Sequence, residues 1–197
     1  MKILVLGLGN DLYGDDGVGF HIVRILRAEG AGEHLGPERT DGVKGRAFAA
    51  EADPRSKPGA SAGAGVRAKA PAPAAVEFVE CPVSGLALLE VILGYDALII
   101  VDTIVKSDCV PGRIHLLEGC DLRDFPGPSP HYVSIPQTLA LGRQLGLHMP
   151  RIVKIVAVEA EDPFRLGEGL SAPMARRLPD IVAATRSVLQ TVAAELD

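Results

Sequence analysis

The sequence predicts an α/β fold, a three-layer sandwich whose mostly parallel sheet is covered by helices on both sides. Two observations carry this expectation. Five β-rich runs alternate along the chain with segments of helical periodicity, the pattern of parallel strands joined by helical crossovers. One of those runs, Ala97-Leu98-Ile99-Ile100-Val101, is apolar throughout, as a strand buried on both faces must be.

Ile3 to Leu6 reads as a buried first strand feeding a tight loop, Gly7-Leu8-Gly9-Asn10. Val18, Ile22, Val23, Ile25 and Leu26 then form a helical stripe, with Asp15 or Asp16 placed to cap the helix. From about Gly42 to Ala75 the composition shifts to Ala, Gly, Pro, Lys and Arg. Such a segment buries too little apolar surface to offset its chain entropy, so 42–75 is expected to be a disordered surface insertion. It interrupts one domain spanning 1–197, because the segment before it could build only a single βα unit. Val76 to Glu80 is the second strand, Gly85 to Leu93 a helix, and Ala97 to Val101 a central parallel strand. Arg113 to Leu117 alternates enough for an edge strand. Ser134-Ile135-Pro136-Gln137 is a capping box that opens a helix to about Leu145. Arg151 to Val158 supplies the fifth strand. A last helix is expected from Ile181 to Glu195, with Pro179 just before it and a stripe of Ile181, Val182, Val188, Leu189 and Val192.

Bulk composition narrows the function classes. A hydrophobic fraction of 47% suffices for a core. The net charge of −5 opposes phosphate backbones, and aromatics at 4% with no Trp leave little to stack on bases, so nucleic acid is not an expected partner. Cys81, Cys109 and Cys120 are odd in number and form no CxxC pair, which fits a reducing compartment. The apolar run after Lys2 is too short for a secretory signal, and no stretch approaches the roughly 18 apolar residues of a membrane span. A cytoplasmic location, with no membrane insertion, is the expectation.

In open α/β sheets ligands bind beyond the carboxyl ends of the strands. That edge receives the loop Asn10-Asp11-Leu12-Tyr13-Gly14-Asp15-Asp16-Gly17 from the first strand. It also receives Asp102 from the end of the central strand, and Ser129-Pro130-His131 ahead of a helix. Asp16, Asp102 and His131 thus converge in expectation: two carboxylates and an imidazole, suited to a divalent transition metal with open positions. Each also has a plainer role, Asp16 as a helix cap, Asp102 as a turn residue and His131 as a packing side chain. His21, His34, His115 and His148 are assigned such plain roles.

The glycine-rich first loop does not fit dinucleotide binding. Counted from Gly7, the last position of Gly-x-Gly-x-x-Gly is Leu12, and Asp11, Asp15 and Asp16 would repel a pyrophosphate. Cys81 follows the second strand at the same edge, where His131 could activate it as a nucleophile, although cysteine is also a habitual core residue. Paired acid–base work by Asp15 and Asp16 is disfavoured, because neighbours at a helix start point in different directions.

Several segments together carry a family resemblance: Ile3-Leu4-Val5-Leu6-Gly7-Leu8-Gly9-Asn10, Asp15-Asp16-Gly17-Val18-Gly19, Leu98-Ile99-Ile100-Val101-Asp102 and Ser129-Pro130-His131. In order and placement the chain resembles the hydrogenase maturation proteases. Val110-Pro111-Gly112-Arg113 and the strand end Val156 to Glu159 also look like family features. The resemblance implies a twisted five-stranded sheet between helices. It implies a nickel-dependent endopeptidase that removes a C-terminal extension from the large-subunit precursor of a nickel-iron hydrogenase, once nickel is installed. The family's nickel positions map onto Asp16, Asp102 and His131, position 16 being Glu or Asp in the family. The nickel, held by the precursor, would polarise the scissile carbonyl, activate water, or serve as a recognition token. Two departures stand out: the insertion, and Glu80-Cys81-Pro82-Val83-Ser84-Gly85 where the family usually has Asp-Gly-Gly-Thr. The second bears on which hydrogenase class is recognised. Two other functions fit the same site, a non-catalytic nickel-sensing or metallochaperone module and a metal-dependent small-molecule hydrolase.

Overall fold

The structure is a computed structural model and describes residues 1–30, 74–118 and 135–196. Five strands form one sheet in the order β2-β1-β3-β5-β4. They are β1 (Lys2–Leu8), β2 (Ala75–Cys81), β3 (Ala97–Ile104), β4 (Ile114–Glu118) and β5 (Ile152–Glu159). All neighbours are parallel except β4, which runs antiparallel to β5 at the edge. The helices are α1 (Val18–Gly30), α2 (Leu88–Ile92), α3 (Ile135–Gln144) and α4 (Ala172–Leu196).

Strand alternation sends successive side chains to opposite faces, and here both faces are apolar. Ile3, Val5, Ile99, Val101, Val156 and Val158 pack with Ile22 and Leu26 of α1 and Met174 and Val192 of α4. Leu4, Leu6, Leu98, Ile100 and Ile155 pack with Leu88 and Ile92 of α2 and Ile135 and Leu139 of α3. The expected three-layer arrangement is therefore present, with a central, parallel, fully buried β3. The order of the strands also locates a crevice. From β1 the chain crosses to β2 on one side and then returns to β3 on the other, so the connections diverge between the carboxyl ends of β1 and β3. Such a switch point is where ligands bind in this architecture.

Several boundaries differ from expectation. Gly7 and Leu8 belong to β1 rather than to the loop, because both continue the register with β2. The second helix starts as a 3-10 turn, Gly85–Ala87, and is α-helical only over Leu88–Ile92. The C-terminal helix begins at Ala172 and contains Pro179. Met174 is wholly buried and anchors the early turns. Proline removes the N–H that would bond the carbonyl of Ala175, but Ala175 and Pro179 both lie on the exposed face, where water can satisfy that carbonyl. Of the expected insertion 42–75, all but Ala74 and Ala75 lies outside the described residues, and Ala75 already starts β2. The capping residue Ser134 also lies outside them. No helix among the described residues is long and apolar enough to cross a membrane.

Candidate active site at the carboxyl edge of the sheet

Asp16 sits in a 3-10 turn, Gly14–Gly17, between β1 and α1, and is almost completely buried. Asp102 is fully buried. It does not end β3 as expected: the strand runs on to Ile104, because pairing with β5 continues through Asp102↔Ala157 to Ile104↔Glu159. A strong hydrogen-bonded neighbour outweighs the poor strand preference of aspartate.

One residue links the two carboxylates. The Thr103 hydroxyl donates to Asp16 Oδ1 at 2.9 Å, and the Thr103 backbone N–H donates to Asp102 Oδ1 at 2.7 Å. Thr103 is itself buried. Asp16 and Asp102, remote in sequence, are thus both bonded to Thr103, near the carboxyl ends of β1 and β3. His131 lies outside the described residues, along with Ser129 and Pro130. Among the described residues, no three His, Cys, Asp or Glu side chains group to hold a metal. The two buried carboxylates supply oxygen donors of the kind a divalent cation takes.

The glycines of the first loop explain how Asp16 reaches this position. Gly9 has φ +139°, and a Cβ there would collide with the carbonyl oxygen of Asp16. Gly19 opens α1 against the sheet, where a Cβ would lie 2.5 Å from the Leu8 carbonyl oxygen and 2.7 Å from that of Val101. The bare backbone lets the turn settle directly over the ends of β1 and β3.

Asp15 faces elsewhere. Its carboxylate accepts the Ser171 N–H at 2.7 Å and the Ser171 hydroxyl at 2.8 Å, and Ser171 Oγ in turn accepts the Met174 N–H at 3.3 Å. Asp15 therefore braces the N-cap of α4 instead of capping α1. Its divergence from Asp16 agrees with the expectation that the two do not work as a pair. Backbone bonds reinforce the brace, Gly14 N–H to the Gly167 carbonyl at 2.9 Å and Gly167 N–H to that of Leu12 at 3.1 Å.

Glu159, at the end of β5, is a wholly buried carboxylate whose role the sequence did not disclose, although its strand end had the look of a family feature. It accepts the Val110 N–H at 2.7 Å and contacts His115 Nε2 at 2.7 Å, with Arg113 at 3.5 Å. Burial disfavours its charge, but the Val110 N–H, His115 and Arg113 outweigh that and hold the carboxyl below its ordinary value. His115 is thus a structural partner in the edge strand, and His148 a surface partner of Asp96 at 3.1 Å. His21 lies in α1, and His34 lies outside the described residues.

The departure at the end of β2 also has a structural use. Glu80 accepts Arg24 Nε and Nη2 at 3.0 and 2.6 Å and Arg27 Nη1 at 3.2 Å, while Arg24 reaches Asp11 Oδ2 at 2.7 Å. This ties α1 to both β2 and the first loop. Cys81, next to it, is 2% exposed, and burial pushes its thiol up from the ordinary value. A nucleophilic cysteine needs the opposite.

Comparison with known proteins follows the same lines. The chain resembles in fold the hydrogenase maturating endopeptidase HybD from E. coli, at 22% identity with a TM-score of 0.66, covering 98% of this chain and 94% of that one. It also resembles the [NiFe] hydrogenase maturation protease HybD from Thermococcus kodakarensis, at 19% identity and TM-score 0.59, over 95% and 99% of the two chains. The HycI protease from the same organism, at 15% identity and TM-score 0.55, covers 96% and 92%. No curated protein sequence matches the chain. The family model HycI, hydrogenase maturation protease, matches residues 66–187, more than half of the chain, a stretch that includes positions 102 and 131 and starts after Asp16. With that match, the chain belongs to the hydrogenase maturation proteases, endopeptidases that process the C-terminus of the hydrogenase large subunit.

Proposed function

We propose that Asp16, Asp102 and His131 receive nickel carried by the large-subunit precursor, and that removal of the C-terminal extension depends on this contact. Nickel dependence is a property of the family; the assignment to these three side chains rests on this chain. The observation that carries it is the double link from Thr103, hydroxyl to Asp16 and N–H to Asp102. It supports two buried carboxylates serving one ligand at the switch point. His131 shortly precedes α3, whose Thr138 donates to the Gly85 carbonyl at 3.3 Å, just beyond the end of β2. The chain therefore enters α3 at the carboxyl edge of the sheet, which supports counting His131 in the set.

Mixed oxygen and nitrogen donors bind modestly, and so can contact a metal held by softer ligands without removing it. When bound, the metal supplies Lewis-acid polarisation of the scissile carbonyl or an activated water. The chain's own part is to keep both carboxylates out of water and preorganised before substrate arrives. The test is the precursor's mass before and after incubation with Asp16→Ala, Asp102→Ala or His131→Ala, using nickel-loaded and nickel-free precursor. Each variant is expected to fold and to leave the nickel-loaded precursor uncut. Near-wild-type shortening by any two of them would end the proposal.

A further inference from the structure

Beside the Asp16 turn, three large apolar side chains stand in solvent. Leu12 is 62%, Phe164 60% and Leu166 75% exposed. They come from two segments joined by backbone hydrogen bonds, since Gly167 N–H donates to Leu12 O and Gly14 N–H to Gly167 O. Clustered exposed side chains of this size mark a surface for a partner, whereas scattered single ones do not. The same two segments enclose a cleft of about 580 Å³, whose lining includes Gly14, Asp15, Leu166 and Ser171. Glu161, Asp162 and Glu168 also line it, against a single cation, Arg165. The Asp162 carboxylate accepts the Phe164 N–H at 3.2 Å and so steadies the turn that carries Phe164.

Two features select the occupant. The enzyme acts on a protein chain, so a polypeptide must lie across the rim that holds Asp16, and this patch is the continuation of that rim. The charge is one-sided, so the complementary segment is basic as well as apolar. We propose that the precursor's C-terminal extension docks here, as a peptide in which apolar side chains seat on Leu12, Phe164 and Leu166 and Lys or Arg face Glu161, Asp162 and Glu168. This rests on the reading that cleavage occurs at the Asp16–Asp102 rim. Because Asp15 and Ser171 clamp the two segments together, a peptide held on the 161–168 side is held in register with Asp16.

The probe is the nickel-loaded precursor, and the variants are L12S/F164S/L166S and E161K/D162K/E168K, all exposed positions outside the metal-binding set. The serine variant is expected to raise KM at least tenfold with kcat within twofold of wild type. The lysine variant should do likewise and lack the rise of KM with salt that is expected of the wild type. Titration of the precursor into Asp102→Ala protein separates the two readings. Binding should be retained there, and lost when the serine changes are added. If Asp16→Ala and Asp102→Ala still cut normally, the metal assignment fails while the KM comparison stands. KM within twofold of wild type in both surface variants would overturn the docking proposal, as would a fall in kcat at unchanged KM. A dimer in the wild type that becomes a monomer in the serine variant would overturn it in favour of a second copy of this chain.

Discussion

Thr103→Val isolates the bond that positions Asp16. Valine has nearly the shape of threonine and keeps the backbone N–H that holds Asp102, so only the hydroxyl bond to Asp16 Oδ1, 2.9 Å long, is lost. Both partners are buried, Thr103 at 1% and Asp16 at 5% exposure, so water does not replace the donor. A hydrogen bond to a charged group contributes about 1.5–3 kcal/mol, and the added methyl returns about 0.8 kcal/mol of burial. The net cost is roughly 1–2 kcal/mol, which for a chain of this size lowers Tm by about 2–8 °C. If the same increment is lost in positioning Asp16, processing slows by roughly fivefold to thirtyfold. Thermal denaturation by circular dichroism and single-turnover cleavage of nickel-loaded precursor measure the two effects. Thr103→Ser restores the hydroxyl and should recover the cleavage rate, though it leaves a small void. A valine variant with unchanged Tm and wild-type cleavage would refute the role of Thr103. So would a serine variant as slow as the valine one.

Gly9→Ala should be more severe, because φ at +139° and contact with the Asp16 carbonyl act together; we expect a loss of at least about 2 kcal/mol and of processing, read by urea denaturation and precursor mass. Glu159 is held below its ordinary pKa of 4.5, so its stabilisation is present above that pH and disappears as pH falls through the folded value. Glu159→Gln should accordingly cost about 1–3 kcal/mol at pH 7, with the gap to wild type narrowing in melts taken below pH 4.5; a gap independent of pH would contradict this. Cys81→Ser should lower stability by about 1–2 kcal/mol through a buried hydroxyl while cleavage persists, whereas complete loss of cleavage in a folded variant would restore a thiol mechanism.

The layers and the site edge were legible because they follow from local pattern. Continuous apolar strands such as Ala97 to Val101 announce burial on both faces, and the rule that ligands bind beyond the carboxyl ends of strands then directs attention to Asp16, Asp102 and His131. What stayed hidden depends on contacts between distant segments. Thr103 looks like an ordinary strand residue, and only the three-dimensional meeting of its hydroxyl with Asp16 gives it a role. Asp15 looked like a cap for the helix beside it, yet its partner is Ser171, 156 residues away in sequence. Pro179 reads as a helix boundary by local rules, which disfavour proline inside a helix. Burial of Met174 and the exposed setting of Ala175 outweigh that local rule. Glu159 carried a family hint, but its partners Val110, Arg113 and His115 come from the turn and edge strand that fold back over it.

The brace between Asp15 and Ser171 also orders events during synthesis. Strands β1, β2 and β3 lie in the first half of the chain, but the turn bearing Asp15 and Asp16 lacks its Ser171 contact until residue 171 has left the ribosome. A nascent chain therefore carries Asp16 and Asp102 well before the contact between Asp15 and Ser171 can form.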